Sequence, residues 1–316
     1  MSLRLPPTLR LSPRHAPYAL LAPFLLLFAV FGLFPLLFSL WLSFHQWEPS
    51  EGLAAMRWVG LENYAVGLTD PWFLQGLGNT VWLALATGLP QHLVALPLAF
   101  FIHRRVRRGR DLLVGAYFVP YITSSVAIAL IFTTLYSKDY GLINVALAEL
   151  TRLPVIGAWL PFDASALPDW LGDSAWTKPA VAFVVFWRYL GWNLVLYLTA
   201  MQTLDEEIFQ AALLDGARPW RQFWSVALPQ LRPMIFFAVT LTLIGSLQLF
   251  EEPFILVDIE KGVARSVMTA AIFMYQTAFN DGDFGTASAL AWALFALIAA
   301  LAWLNARLFG KGGQHA

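Results

Sequence analysis

LDEEIFQAALLDGARPWRQFWSVALPQL, residues 204–231, is the clearest amphiphilic interruption in a chain otherwise made of apolar blocks. Asp205, Glu206, Glu207, Asp215, Arg218 and Arg221 keep the stretch out of hydrocarbon. Ile208, Phe209, Ala212, Leu213, Phe223 and Trp224 make it more than a solvated loop. The first four of these apolar residues recur at helical spacing and form one face. Gly216 can take the left-handed conformation that ends a helix. Pro219 suits the first turn of a second helix, where a missing N–H costs nothing. Leu228-Pro229 closes that second piece. The stretch therefore predicts a helical elbow whose apolar face needs a protein groove to cover it. An amphipathic helix lying on lipid headgroups is the plainer alternative, but a Gly-Pro turn serves no purpose there.

The chain around the elbow has 316 residues, 59% hydrophobic and only 13% charged. Soluble domains carry about 25% charged residues. Half of that, gathered into long uncharged runs, predicts an all-α polytopic membrane bundle. Net charge is zero, so a nucleic-acid partner is not indicated. Cysteine is absent, which excludes disulfides and thiol catalysis.

Six spans are expected. Residues 1–15 form a basic tail expected in the cytoplasm, and residues 16–45 carry the first helix, with Pro23 and Pro35 as places to bend. An uncharged run of that length exceeds the apolar region of a cleavable signal, about 7–15 residues, so a retained helix is expected. A core over residues 75–308 holds the others, at about 77–102, 112–137, 179–203, 233–250 and 284–306. Residues 309–316 form the second tail. Ser266–Asn280 is uncharged but too short to cross undistorted, and is expected as a helix packed at the outer mouth of a pathway.

Charge orients this bundle. The segment after the second span holds five arginines and one aspartate. The segment before that span is net −3, the loop after the third −2, and the segment after the fifth −4. With Arg4, Arg10 and Arg14 at one end and Arg307 and Lys311 at the other, both termini fall in the cytoplasm. So does the elbow. The arginine run is most simply a topology determinant, and it is also placed to touch anionic lipid. Trp41, Trp47, Trp72 and Trp303, near span ends, suit interface anchors.

No phosphate-cradling G-x-x-x-x-G-K-[ST] occurs, nor H-E-x-x-H, nor G-x-S-x-G. The chain is therefore expected to be no enzyme, with no metal site and no cofactor of its own.

The spacing Ala211-Ala212, Asp215-Gly216-Ala217, then Leu228-Pro229 resembles the EAA loop of binding-protein-dependent ABC importer permeases. Val59–Tyr64 and Tyr140–Asn144 are similar to short motifs of the sugar-type members, such as maltose, lactose and glycerol-3-phosphate permeases. The likeness runs from about Pro17 to Phe309 and implies the type I importer permease fold. It also implies a bacterial or archaeal cytoplasmic membrane. The implied partners are an ATPase dimer, which uses the ATP and magnesium, a second homologous permease, and an extracytoplasmic solute-binding protein. The elbow is then a coupling helix gripped by the ATPase, through Phe209, Gln210, Ala211, Ala212, Asp215, Gly216, Ala217, Leu228 and Pro229. Gln210 departs from the family's usual Glu, which puts in doubt any ion pair of that Glu with the ATPase and leaves a hydrogen bond as the available substitute.

A pathway should show as polar groups inside spans, because each is costly there. Arg188 lies about 14 Å into the fourth span at about 1.5 Å per residue. Unpaired, it would cost roughly 2.5–3.5 kcal/mol, and Glu251 or Glu252 is in reach by sequence. It serves either as a rim of the pathway or as a structural pair. The resemblance adds Tyr189, Gly191, Asn193, Tyr197, Gly245 and Gln248 as substrate contacts, and Glu251 joins them as a partner of Arg188. Trp187, Trp192 and Tyr197 offer rings for sugar C–H faces. The plain alternative for each polar residue is inter-helix glue, worth about 0.6 kcal/mol a pair.

Two other classes compete. An ion-coupled secondary transporter should carry internal repeats and broken helices around a midplane ion site, and no duplication is visible. A non-transporting membrane assembly component would show no solute flux.

Overall fold

The computed structural model describes residues 14, 16–157, 166–257 and 262–309. The expected basic tail over 1–15 lies outside them apart from Arg14. So do the tail from 310 on, Asp163, Asp258, Glu260 and Lys261.

Helices dominate. In chain order they are α1 (Ala16–Leu42), α2 (Glu62–Thr69), α3 (Pro71–Arg105), α4 (Arg110–Ile122), α5 (Ser125–Leu135), α6 (Leu142–Thr151), α7 (Ser174–Met201) and α8 (Glu206–Leu214). Then come α9 (Pro219–Gln222), α10 (Arg232–Leu247), α11 (Glu251–Leu256), α12 (Ala270–Phe279) and α13 (Phe284–Phe309). A two-residue hairpin pairs β1 (His45–Gln46) with β2 (Arg57–Trp58) antiparallel. Five helical segments are long and apolar enough to cross a membrane: α1, α3, α7, α10 with α11, and α13. The stretch expected as a third straight span is instead α4 and α5, bent by 95°. As one broken span they bring the number of crossings to six. Thr123 and Ser124 are extended at the break, and Pro120 sits three residues before it.

Contacts divide the chain into two compact units, Met1–Leu68 with Gln276–Ala293, and Thr69–Tyr275 with Leu294–Ala316. In the first unit, α1 is exposed along most of its length among the described residues; Leu20, Phe24, Phe28 and Phe31 all show it. A helix this apolar is soluble only in lipid or against another membrane chain. A polar clasp follows it. Asn63 Nδ2 donates to the carbonyls of Ser43 and His45, both at 2.9 Å. Gly60 turns the chain at φ +61°, and Tyr64 Oη lies 2.8 Å from Ser43 Oγ. The Val59–Tyr64 motif is thus a local turn held by its own polar groups.

In the second unit α3 and α7 form the core. Asp70 caps α3, accepting from the amides of Trp72 at 2.7 Å and Phe73 at 3.1 Å. Asp173 caps α7 through Ala175 N–H at 2.9 Å. Leu83, Ala95, Ala99 and Ile102 of α3 are buried, as are Val181, Val184, Leu194 and Met201 of α7. Gly191 lets α4 approach α7 so closely that a Cβ there would overlap the Tyr117 carbonyl. Overpacking of this kind typically costs about 1–3 kcal/mol, and backbone cannot move aside as a side chain can. Gly191→Ala is therefore expected to lower thermal stability in detergent, measured by the temperature at which the complex loses its monodisperse profile.

Asn144, from the Tyr140–Asn144 motif, is buried. It donates to the carbonyls of Lys138 at 3.1 Å and Pro168 at 3.0 Å, and accepts from Trp170 Nε1 at 2.8 Å. The 266–280 stretch contains the ten-residue α12. Its start packs on the first turns of α3, where Asn79 Nδ2 donates to Met268 O at 2.9 Å and Ala270 N–H to Thr80 Oγ1 at 2.9 Å.

Candidate functional site

The elbow ends α8 in a Schellman turn. Ala217 N–H donates to Ala212 O at 2.9 Å and Gly216 N–H to Leu213 O at 3.0 Å, with Gly216 at φ +76°. Buried Gln222 then donates from Nε2 to Ala217 O at 2.9 Å, tying α9 to the turn. Asp205 caps α8 through Glu207 N–H at 2.9 Å.

One side of the elbow is anchored to the second unit. Phe209 is buried against Phe100 and below Arg104, whose guanidinium lies 4.8 Å from its ring centre. Arg104 also bridges Glu206 at 2.5 Å. Phe223 packs on Phe100 at 5.4 Å. The other side has no cover among the described residues. Leu214 is 90% exposed, and Ile208, Leu213, Trp220 and Trp224 are exposed with it. Of the face expected from spacing, Phe209 points inward while Ile208 and Leu213 point out. Gln210, Ala211, Asp215, Gly216 and Pro229 are exposed; Ala212, Ala217 and Leu228 are half-buried.

A second feature is a cavity of about 280 Å³ between α3, α4, α7 and α10. Gln91, Tyr121, Tyr189, Trp192, Asn193, Thr242, Gly245 and Ser246 line it, with Val185, Leu241 and Leu249. Tyr121 stacks on Trp192 at 4.8 Å, and Tyr189 meets Tyr121 edge-on at 5.8 Å. Asn193 Nδ2 donates to Gln91 Oε1 at 3.1 Å, while the buried Asn193 Oδ1 has no donor among the described residues. No lining side chain carries a formal charge.

The residues expected along a pathway divide in three. Tyr189, Asn193 and Gly245 line the cavity. Arg188, Gly191 and Tyr197 belong to the packing around it. Arg188 is buried and bonds Glu252 Oε1 at 2.5 Å, with Glu251 at 3.9 Å and Thr123 O at 3.4 Å. It therefore ties α7 to α11 and to the α4–α5 break. Tyr197 is fully buried, its hydroxyl 2.7 Å from His92 Nδ1. Gln248 and Glu251 are exposed and outside the cavity lining. Trp187 packs on Phe132.

Sequence reasoning passed over Gln91, Tyr121, Thr242 and Ser246. Gln91 and Tyr121 carried a signal, a polar group beside a proline inside an apolar span. Thr242 and Ser246 are small hydroxyls of a kind common in spans, and only packing distinguishes them. Among the described residues no cluster of His, Cys, Asp and Glu suits a metal ion.

A multi-pass helical membrane protein with a cavity among its spans, lined by aromatic and aliphatic side chains and a few amide and hydroxyl groups, and with an exposed apolar elbow between two spans is built as a membrane transport component. The chain belongs to the family of binding-protein-dependent transport system inner membrane components, whose model matches residues 95–310. It is 32% identical to a probable ABC transporter permease protein, YurN of Bacillus subtilis (strain 168), over 95% of this chain and 97% of that protein. It is 30% identical to the lactose transport system permease protein LacF of Rhizobium radiobacter, over 90% of each. The arabinooligosaccharides transport system permease protein AraP of Bacillus subtilis is 27% identical over 95% of this chain and 90% of that one. A chain in the crystal structure of a bacterial ABC transporter involved in import of the acidic polysaccharide alginate has the same fold. Its TM-score is 0.80 at 19% identity, covering 94% of this chain and 96% of that one. The fold is thus that of the type I importer permease, a multi-pass inner-membrane pore component rather than an enzyme.

Proposed function

We propose that this chain forms half of the translocation pathway of an ATP-driven importer for an uncharged carbohydrate. The observation that carries the reading is the cavity between α3, α4, α7 and α10. Amide, phenol and hydroxyl groups meet stacked rings there, with no charge among them. Sugar hydroxyls need the first kind of surface, and sugar C–H faces pack on the second. Asn193 Oδ1 is a buried acceptor with no donor among the described residues, and a substrate hydroxyl satisfies it. The relatives that handle lactose and arabino-oligosaccharides by name support the substrate class.

Energy enters at the elbow. Its exposed face, Leu214 foremost, docks into a groove of a cytoplasmic ATPase dimer that binds ATP and magnesium. Gln210 hydrogen-bonds there in place of an ion pair. A second permease completes the pathway, and an extracytoplasmic binding protein delivers the sugar. Both termini lie in the cytoplasm in this reading, which the arginines after α3 and the acidic loops on the opposite side support. ATP binding and hydrolysis shift the assembly between two states by differential contacts at the elbow.

Reconstitution of the four components in proteoliposomes tests this, with lactose, maltose, trehalose and arabino-oligosaccharides as the panel. Uptake of at least one, dependent on ATP and on the binding protein, is expected. Uptake driven by an ion gradient alone, or none with the whole panel, overturns it. Within a working assembly, Trp192→Ala removes the stacking surface, worth about 0.5–1.5 kcal/mol. KM is expected to rise roughly two- to twelvefold with the amount of assembled complex unchanged. Asn193→Leu should act in the same direction. Gln248→Leu, outside the lining, should change KM less than either.

A further inference from the structure

A second cavity, about 380 Å³, lies farther along the same two helices. On α7 the lining residues of both cavities form one stripe. Val185, Tyr189 and Trp192 face the first, and Val195, Thr199 and Gln202 face the second. Steps of three and four keep one helix face. On α4, Tyr121 faces the first cavity, while Phe118, Val114 and Arg110 face the second, again at spacings of three and four. The Tyr121–Trp192 stack is thus the partition between two chambers of one groove.

The second chamber changes character along its length. Next to the partition it is apolar, with Phe118 and Val195. At its far end stand Arg110, Asp111, Thr199 and Gln202. Arg110 Nη2 is buried there without an acceptor among the described residues, a costly arrangement unless an oxygen reaches it. Phe118, Val195 and the stacked rings thus separate two groups of polar side chains, one in each cavity, so a polar molecule has partners on each side of an apolar stretch.

We propose that the second cavity is the release station of the transport route, a site that binds the sugar's hydroxyls after it has passed the Tyr121–Trp192 partition. This rests on reading the first cavity as the sugar pathway. Arg110 Nη2 and Gln202 donate to sugar oxygens, and Asp111 and Thr199 accept from sugar hydroxyls. The site faces the compartment in which the elbow lies, because Gln202 caps the end of α7 from which the elbow starts.

Cysteine labelling tests it, because this chain has no cysteine of its own. Thr199→Cys introduces a single exposed thiol in the second cavity, and Gln202→Cys gives an independent position one turn on. Ser246→Cys reports the first cavity. Each variant is assembled with its partner subunits in inverted membrane vesicles. It is then treated with a charged methanethiosulfonate, with the same assembly lacking the introduced cysteine as background. The added sugar is the panel member with the highest uptake. The charged reagent is expected to label Thr199→Cys and Gln202→Cys, and the sugar to slow labelling along a saturation curve. At nine times the half-protecting concentration the rate should be about tenfold lower. Labelling by a lipid-soluble maleimide alone overturns the proposal in favour of a lipid-filled groove. Loss of labelling only when the second permease is present overturns it in favour of a subunit interface. Charged-reagent labelling that sugar does not slow overturns it as well. If Ser246→Cys is protected while Thr199→Cys and Gln202→Cys are not, the release station alone falls. If none of the three is protected, the assignment of the first cavity falls too.

Discussion

Gly216→Val is expected to abolish sugar uptake while the chain remains inserted and complexed with its partners. Gly216 sits at φ +76° with no atom within 4 Å of a Cβ built on it. The obstacle is therefore conformational, not steric. A left-handed backbone costs an ordinary residue about 1–2 kcal/mol, and a β-branched one more. Relieving that strain means giving up the two turn hydrogen bonds to Ala212 and Leu213 and re-aiming α8 against α9. The membrane helices are not involved. Phe209 and Phe223 still anchor the elbow to α3, so folding and assembly survive. The exposed Ile208, Leu213 and Leu214 face would then no longer match the ATPase groove proposed for it. ATP hydrolysis by the assembled complex should then proceed without solute movement, read as the ratio of phosphate released to sugar accumulated. Gly216→Asn is the control, because Asn tolerates the left-handed region, and it should retain most uptake. Full transport by Gly216→Val would remove the elbow from the coupling role.

The second large effect concerns Arg188. Its guanidinium and the Glu252 carboxylate form the only ion pair with both side chains mostly buried among the described residues, Glu252 being 3% exposed. Removing one member of such a pair leaves the other charge in a poor dielectric, at a cost of about 3–5 kcal/mol. Arg188→Met and Glu252→Gln should each reduce the yield of folded protein sharply, measured as the monodisperse fraction after detergent extraction. The double variant removes both charges and should recover most of that yield, since a neutral buried replacement is often tolerated. Glu251→Gln is the contrast. Glu251 is 3.9 Å from Arg188 and exposed, so its removal should cost less than about 1 kcal/mol. If Arg188→Met keeps normal yield but lowers uptake, the pair acts in the gate rather than in holding α7, α11 and the α4–α5 break together.

The two predictions sit on features of unequal visibility in the sequence. Gly216 declared itself, because a glycine twelve residues into an amphipathic stretch, with a proline three residues on, has one economical use. Arg188 declared that it needed a carboxylate but not which one. Glu251 and Glu252 differ by one helical step, and only the turn into α11 decides that Glu252 faces inward.

Long uncharged runs and the opposed charge of successive loops were sufficient for the helical membrane class. They carried it because bilayer thickness sets span length and an unpaired charge in hydrocarbon is prohibitive, constraints that act on each segment alone. The 95° break at Thr123, the close approach of α4 at Gly191, and the split of the expected pathway residues into three that line the cavity and five that do not belong to the tertiary structure. Periodicity places a residue on a face of its own helix. Which faces meet, and whether a polar atom is met there by another helix or left for a substrate, depends on how several helices pack at once.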